Sequence, residues 1–398
     1  RANRPDLDPA LILGDFTGAL SGQGERIALE APMAFNGPVS PEQAPVLDPA
    51  YSLVDEAIYR DGGRWGRWAD GGGSSLELID PQANPNLAPN WADSDETAKA
   101  PWTTIEATGR LSAPHPSFDS AEQLQLFLLG PGEALVDSVQ VLVAGNNRIS
   151  NSTFENGLNN WTFQGTQSHS SWEQGQGYNS ARSLRLVATE RGDHVANRVF
   201  TSLNSSIPRG TETTIRARVR WLKGHPEILL RLRGGALEAY GRLTLPNNLG
   251  TPGAPNSQSR ANAGPAIVGV EHRPVLPQAG DPIRITARID DPDGVANAFV
   301  RYRVDPATNA TVIVLADDGT GSDEFAQDGT YSAVLPAQPK GTLIAFWIDA
   351  LDAHAAPAAS RFPAGAPARE CLVRIGEDHR PGAFANYHLW ITSASHSL

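Results

Sequence analysis

The sequence predicts an all-β chain made of several consecutive β-sandwich domains, Ig-like and jelly-roll in kind. Three observations carry this. Period-two alternation of apolar and polar residues recurs along the chain. Turn residues punctuate it about every 8–12 positions, as in sandwiches and jelly rolls. Helical periodicity never lasts beyond two turns.

The strands follow from these patterns. Residues 213–221 place Ile215, Ala217, Val219 and Trp221 on one face and arginines and threonine on the other. That is a half-buried antiparallel strand with one wet side. Residues 228–233 follow a Gly224-His225-Pro226 turn and read as its hairpin partner. Residues 183–187, 283–289 and 343–348 repeat the pattern. The apolar run 124–129 is too short for a helix and stops at Gly130-Pro131.

Composition narrows the function. The chain has 398 residues, which predicts two to four domains. Its net charge of -12 repels phosphate backbones and disfavours a nucleic-acid partner. Only Lys99, Lys223 and Lys340 are lysines, so nearly all the positive charge is arginine. The 38 glycines and 31 prolines make about 17% of the chain, still short of low complexity. The 40% apolar content suffices for cores. No apolar run approaches the ~18 residues of a membrane span, and no signal-peptide pattern is visible. Arg1 opens the chain and Met33 is the lone methionine, which predicts a mature product or an excised piece. A single cysteine, Cys371, excludes an internal disulfide and a cysteine-based zinc site.

Punctuation sets the expected boundaries. A Pro/Asn loop at 81–89 lies inside a first unit, 1–111, and the Ser112-Ala113-Pro114-His115-Pro116 run ends it. A second unit spans 112–245. Residues 246–265, with Pro246, Pro252, Pro255 and Pro265, read as an extended linker or strap. A third unit runs over 266–375, and 376–398 forms a C-terminal segment.

Particular motifs resemble known families. Gly14-Asp15-Phe16-Thr17, Gly24-Glu25-Arg26-Ile27, Val54-Asp55-Glu56-Ala57, Gly71-Gly72-Gly73-Ser74 and Asn90-Trp91-Ala92-Asp93 resemble the later part of a bacterial lamin-tail domain. That resemblance implies an Ig-like sandwich in a large secreted protein, here lacking its first strands, whose open edge could self-associate. Asn151-Ser152-Thr153-Phe154 through Trp161, and Ser180-Ala181-Arg182-Ser183-Leu184, resemble a carbohydrate-binding jelly roll of the galactose-binding type. Ala134-Leu135-Val136-Asp137-Ser138-Val139-Gln140-Val141 looks like the closing strand of such a module, yet comes before the opening motif. Asp290-Asp291-Pro292-Asp293-Gly294 and Asp317-Asp318-Gly319 look like loops of an Ig- or fibronectin-like domain. The order of the three resembles the region upstream of the kinase-like domain in secreted CotH-type kinase-family proteins. It implies an extracellular or cell-surface location, and as an alternative role, positioning of a downstream kinase-like domain.

No His-Glu-x-x-His helix, nucleophile elbow or phosphate loop is present, and the nine histidines share no ligand spacing. The chain therefore reads as non-catalytic, with a third role as a self-assembling surface-layer or filament subunit. Its strongest chemical signal is acidic: Asp290, Asp291, Asp293, Asp317, Asp318, Asp323 and Asp328 crowd glycine-bearing loops. Calcium takes oxygens from such loops. Asp-Gly pairs equally well initiate turns, so both readings stand. Candidates for glycan contact are Trp172 and Tyr178, set among Gln, Gly and Ser, with Arg182 and Asn197 as hydrogen-bonding partners. Trp161 and Trp221 read as core, and Trp65 and Trp68 as a loop lid. Cys371 sits in a strand pattern and reads as a small packing residue.

Overall fold

A computed structural model describes residues 8, 18–33, 50–112, 119–192, 194, 196–378, 382 and 387–396. The Gly14-Asp15-Phe16-Thr17 motif and the 113–116 boundary lie outside the described residues. Strand accounts for 46% and helix for 3%, so the chain is all-β with several separate sheets. It divides into two compact units. The first takes in Gly66–Glu77 and Asp93–Ser257; the second takes in Leu20–Trp65, Leu78–Ala92 and the chain from Gln258 onward.

The first hundred residues contribute few strands. Among the described residues, β1 (Gly24–Pro32) and β2 (Tyr51–Arg60) pair only with each other, as a two-stranded antiparallel ribbon. β3 (Leu76–Leu78) and β4 (Trp91–Asp93) are three residues each. The stretch expected as a sandwich over 1–111 therefore forms no sandwich among its described residues. Its longest remaining strand, β5 (Trp102–Arg110), is hydrogen-bonded to β13 (Glu212–Gly224) along its whole length. The reason is packing: Ile105 alternates into the same core as Ile215, Ala217 and Val219.

The first unit is built from two antiparallel sheets. Besides β5 and β13, its strands are β6 (Ser120–Leu128), β7 (Gly132–Val143), β8 (Asn146–Asn147), β9 (Trp161–Phe163), β10 (Ser171–Gln174), β11 (Arg182–Ala188), β12 (Val199–Pro208), β14 (Glu227–Leu232) and β15 (Glu238–Arg242). One sheet runs β10-β11-β7-β13-β5, with β8 beside β7; the other runs β15-β14-β6-β12-β9. Alternate residues of both meet in one core: Leu124, Leu126 and Leu128 from β6, Leu184 and Leu186 from β11, Ile228, Leu230 and Leu232 from β14. Trp221 is 1% exposed and Trp161 6%, so both plug this core, Trp221 as its alternation predicts and Trp161 as large aromatics usually do. The early segment Ala134 to Val141 lies in the central strand β7, between β11 and β13, which explains its near-complete burial.

The expected linker contains no strand, and its first half is a clamped strap. Glu77 and Glu96 are 3% and 2% exposed. Gly250 N–H donates to Glu96 Oε1 at 2.9 Å, Ser257 Oγ donates to Glu77 Oε2 at 2.7 Å, and Thr251 Oγ1 also donates to Glu77. Lys99 Nζ pairs with Glu96 at 2.9 Å and donates to Gly250 O at 2.6 Å. Buried carboxylates hold only where such donors satisfy them.

The second unit carries two further sheets. β16 (Ala266–Arg273), β17 (Ile283–Asp290) and β20 (Thr330–Leu335) form one. β18 (Val295–Val304), β19 (Thr311–Val314), β21 (Leu343–Asp352), β22 (Ala359–Phe362) and β23 (Cys371–Arg374) form the other, around the central β21. Ile283, Ile285, Ile289, Val300, Ile344 and Ile348 supply the core between them.

Candidate functional site

The outward face of the β10-β11-β7-β13-β5 sheet gathers the chemistry. In antiparallel pairing, residues directly opposite share a face. Because Ile215, Ala217 and Val219 point into the core, Arg216, Arg218 and Arg220 point outward. Opposite them on β5 stand Glu106, Thr104 and Trp102. On the other flank, Arg216 faces Gln140 and Arg218 faces Asp137. The register slips between these two rows at a bulge, where Ser138 takes a φ of 50°. Such bulges re-aim neighbouring side chains.

Asp137 is fully buried, and its carboxylate organises the loop from 175 to 181. It accepts Tyr178 N–H at 2.7 Å and Ser180 Oγ at 3.0 Å through Oδ2, and Ser138 N–H at 2.5 Å through Oδ1. Burial pushes its carboxyl above the usual aspartate range, and the two amides and the hydroxyl oppose that rise. The loop is tight. A Cβ on Gly177 would meet Ser180 Oγ at 2.1 Å and Arg182 O at 2.3 Å, so only glycine fits there.

Held this way, the Tyr178 ring lies 4.5 Å under the Arg218 guanidinium and 5.9 Å from Trp102 in edge-on contact. Arg220 in turn lies over Trp102 at 5.8 Å. Arg218 donates to Thr104 Oγ1, and Arg220 Nε donates to Ala100 O at 2.7 Å. The result is a half-buried row of two rings and two guanidinium groups across β5, β13 and the 175–181 loop. At the flank of the same face, Glu133 bridges Arg185 at 2.6 Å and Lys223 at 3.3 Å.

The four residues expected to contact glycan separate. Tyr178 joins the outer face. Trp172 stands opposite Leu184 and therefore turns inward, where its indole N–H donates to Phe154 O at 2.8 Å. Arg182 lies over the Trp172 ring at 4.9 Å and goes with it. Asn197 holds the 165–167 turn: its Oδ1 accepts Thr166 N–H at 3.1 Å and its carbonyl accepts Gln167 Nε2 at 3.2 Å. Trp102, Arg218, Arg220 and Asp137 were not singled out from sequence. The alternation of 213–221 had already turned the arginines to one face; only pairing reveals that Trp102 and Tyr178 join them.

Five of the seven aspartates accept backbone amides within their own loops. Asp317 accepts Asp328 N–H at 3.1 Å and Gly329 N–H at 3.0 Å. Asp323 accepts Gly319 N–H at 2.7 Å, and Asp318 accepts Thr320 N–H at 2.9 Å. Asp328 accepts Thr330 N–H at 2.7 Å, and Asp291 accepts Asp293 N–H at 2.9 Å. Asp290 ends β17 opposite Ala266. The bonds of Asp291, Asp318 and Asp328 reach two residues on and are Asx-type turns, whereas Asp317 ties the far end of its loop and Asp323 reaches back to Gly319. Among the described residues, no three His, Cys, Asp or Glu side chains come together as a metal-holding group. Burial raises Asp291 to about 6, with Asp352, Asp293 and Asp80 adding repulsion. Burial likewise pushes the Cys371 thiol up to about 11, which leaves it no nucleophile at neutral pH.

The second unit also holds a groove of about 920 Å³, lined by Trp347, Trp390, Pro306 and Pro367 beside Arg303 and Glu370. Arg303 is paired there with Glu370 at 2.5 Å and Asp305 at 3.2 Å. Among the described residues, no helix is long and apolar enough to cross a membrane.

Fold and face together define an all-β protein of several sheets with an aromatic and cationic sheet surface. No family model and no curated protein matches the chain. Among solved structures it is similar to a DUF4785 family protein from Legionella pneumophila subsp. pneumophila str. Philadelphia 1, at 9% identity and a TM-score of 0.18. That match covers 69% of this chain and spans 65% of the Legionella chain.

Proposed function

We propose that this chain is a non-catalytic extracellular or cell-surface binding protein that contacts glycans through the outer face built on Tyr178 and Trp102. The single supporting observation is the row of two aromatic rings and two guanidinium groups across β5, β13 and the 175–181 loop. Sugar rings offer apolar C–H faces to aromatic side chains and hydroxyls to Arg, Thr and Gln, so one surface serves both needs. The extracellular setting rests on the motif resemblances of 14–93 and 151–186. The test is retention of the full chain on immobilised polysaccharides, alongside Tyr178→Ala and Trp102→Ala. Retention of the parent and its loss in both variants is the expected result. Equal retention of all three proteins would reject the face.

A second role, self-association, is favoured by one specific feature. In the β1–β2 ribbon Ile27, Leu29, Leu53 and Val54 are each 44–59% exposed, and among the described residues the ribbon has no third strand. A lone hairpin is marginal in water, and free edges recruit strands. The occupant we assign is the same ribbon of a second copy. Sedimentation velocity over a concentration series should show a dimer or larger species that Leu29→Asp with Val54→Asp abolishes. A monomer at every concentration would rule it out.

A further inference from the structure

Several arginines of this acidic chain reach a carboxylate. Arg26, Arg185, Arg231, Arg242, Arg301 and Arg361 each reach a carboxylate within 3.0 Å. Arg216, on the same outer face, shares Glu106 at 3.3 Å and Gln140 at 2.9 Å. Arg218 and Arg220 are not among them. Among the described residues neither forms an ion pair; one bonds a threonine hydroxyl, the other a backbone carbonyl. They are two positions apart on one strand, so their Cα atoms are about 7 Å apart on the same face. Most of their N–H donors remain without a protein acceptor. A guanidinium presents a planar fork suited to two-oxygen anions, and stacking on Tyr178 and Trp102 holds each fork in place.

We infer that the glycan bound at this face is an acidic polysaccharide, whose carboxylate or sulfate groups Arg218 and Arg220 receive while the Tyr178 and Trp102 rings pack against the sugar. The inference rests on the glycan reading and deepens it, by naming the charge of the ligand. Two charges with no ion-pair partner among the described residues, each stacked on a ring, suit a ligand that brings both anion and apolar face. A neutral glycan would leave those forks to water, and a non-sugar polyanion would leave the rings unused. The charge of -12 on the whole chain opposes unspecific polyanion binding, so the contact must be local and geometric.

The experiment is affinity electrophoresis and calorimetry on the full chain. The probes are polygalacturonate and alginate for carboxylates, dextran sulfate for sulfate esters, and fully methyl-esterified pectin and plain dextran as neutral counterparts. Double-stranded DNA is the polyanion that carries no such sugar face. An acidic glycan should bind at least about tenfold more tightly than its neutral counterpart, and the difference should shrink with added salt. R218Q with R220Q should remove about tenfold or more of that binding, with the unfolding midpoint checking that the variant folds. Should the double variant fail to fold, Arg218→Lys keeps the charge, loses the fork, and should weaken binding severalfold. Equal binding of acidic and neutral polymers overturns this inference but leaves the glycan reading standing. Equal binding of DNA overturns it as well, in favour of a plain cationic patch. Binding to none of the polysaccharides removes both readings.

Discussion

The backbone N–H of Tyr178 donates to the buried carboxylate of Asp137 at 2.7 Å, and this bond ties the 175–181 loop to the sheet interior. Asp137 therefore acts as a positioning residue for the ring that meets Arg218 and Trp102. Asp137→Ala leaves the Tyr178 and Ser138 amides without their acceptor, while the Ser180 hydroxyl keeps Arg182 O. The expected cost is about 1–3 kcal/mol, with hydrogen exchange accelerated in 175–181 ahead of the rest of the sheet. Glycan affinity should fall with it. Asp137→Asn keeps one acceptor oxygen and should fall between the two. Unchanged exchange in that loop would disprove the assignment.

The strap at 246–257 is held by two buried glutamates. Glu77→Ala removes the acceptor for Thr251 and Ser257, both bonded to a charged group. Stability should drop on the order of 2–3 kcal/mol, and limited proteolysis should open the chain between 246 and 260. Glu77→Gln, which keeps an acceptor, should be milder. Proteolysis that begins elsewhere in both variants would argue against a clamped strap.

Asp291 makes a pH prediction. Its folded value of about 6 lies above the ordinary 3.8, first through burial and then through Asp352, Asp293 and Asp80. Protonation thus favours the folded state. The stabilisation from this group is complete below the unfolded pKa and is lost as pH rises through about 6. Asp291→Asn should raise the unfolding midpoint near neutral pH and flatten its rise between about pH 7 and pH 4. A variant whose midpoint tracks the parent at every pH would show that Asp291 is not strained by charge.

Calcium supplies a direct test of the aspartate loops. With Asp317, Asp318, Asp323, Asp328 and Asp291 already accepting backbone amides, thermal midpoints in calcium, magnesium and chelator should coincide. A ligand that binds only the folded state must raise the midpoint, so a selective rise with calcium would restore the cation reading.

The all-β class, the core role of Trp161 and Trp221, and the outward set of Arg216, Arg218 and Arg220 were legible from sequence. The class, Trp221 and the arginine face depend on the period of two, which a strand imposes wherever it pairs, and Trp161 on the tendency of large aromatics to fill cores. The Asx turns at Asp291, Asp318 and Asp328 close within two residues and so fall within the reach of local sequence, whereas the Asp317 bonds to Asp328 and Gly329 do not. Which strands pair is a long-range matter. β5 was expected in a first sandwich over 1–111 and lies instead beside β13, more than a hundred residues later in the chain. That pairing alone brings Trp102 to Arg220, and Asp137 alone brings Tyr178 to Arg218. The β10–β11 pairing sends Trp172 inward, since its partner Leu184 is a core residue. Local alternation determines which face a side chain takes within its own strand; burial of the two sheets against one another decides which strands share that face.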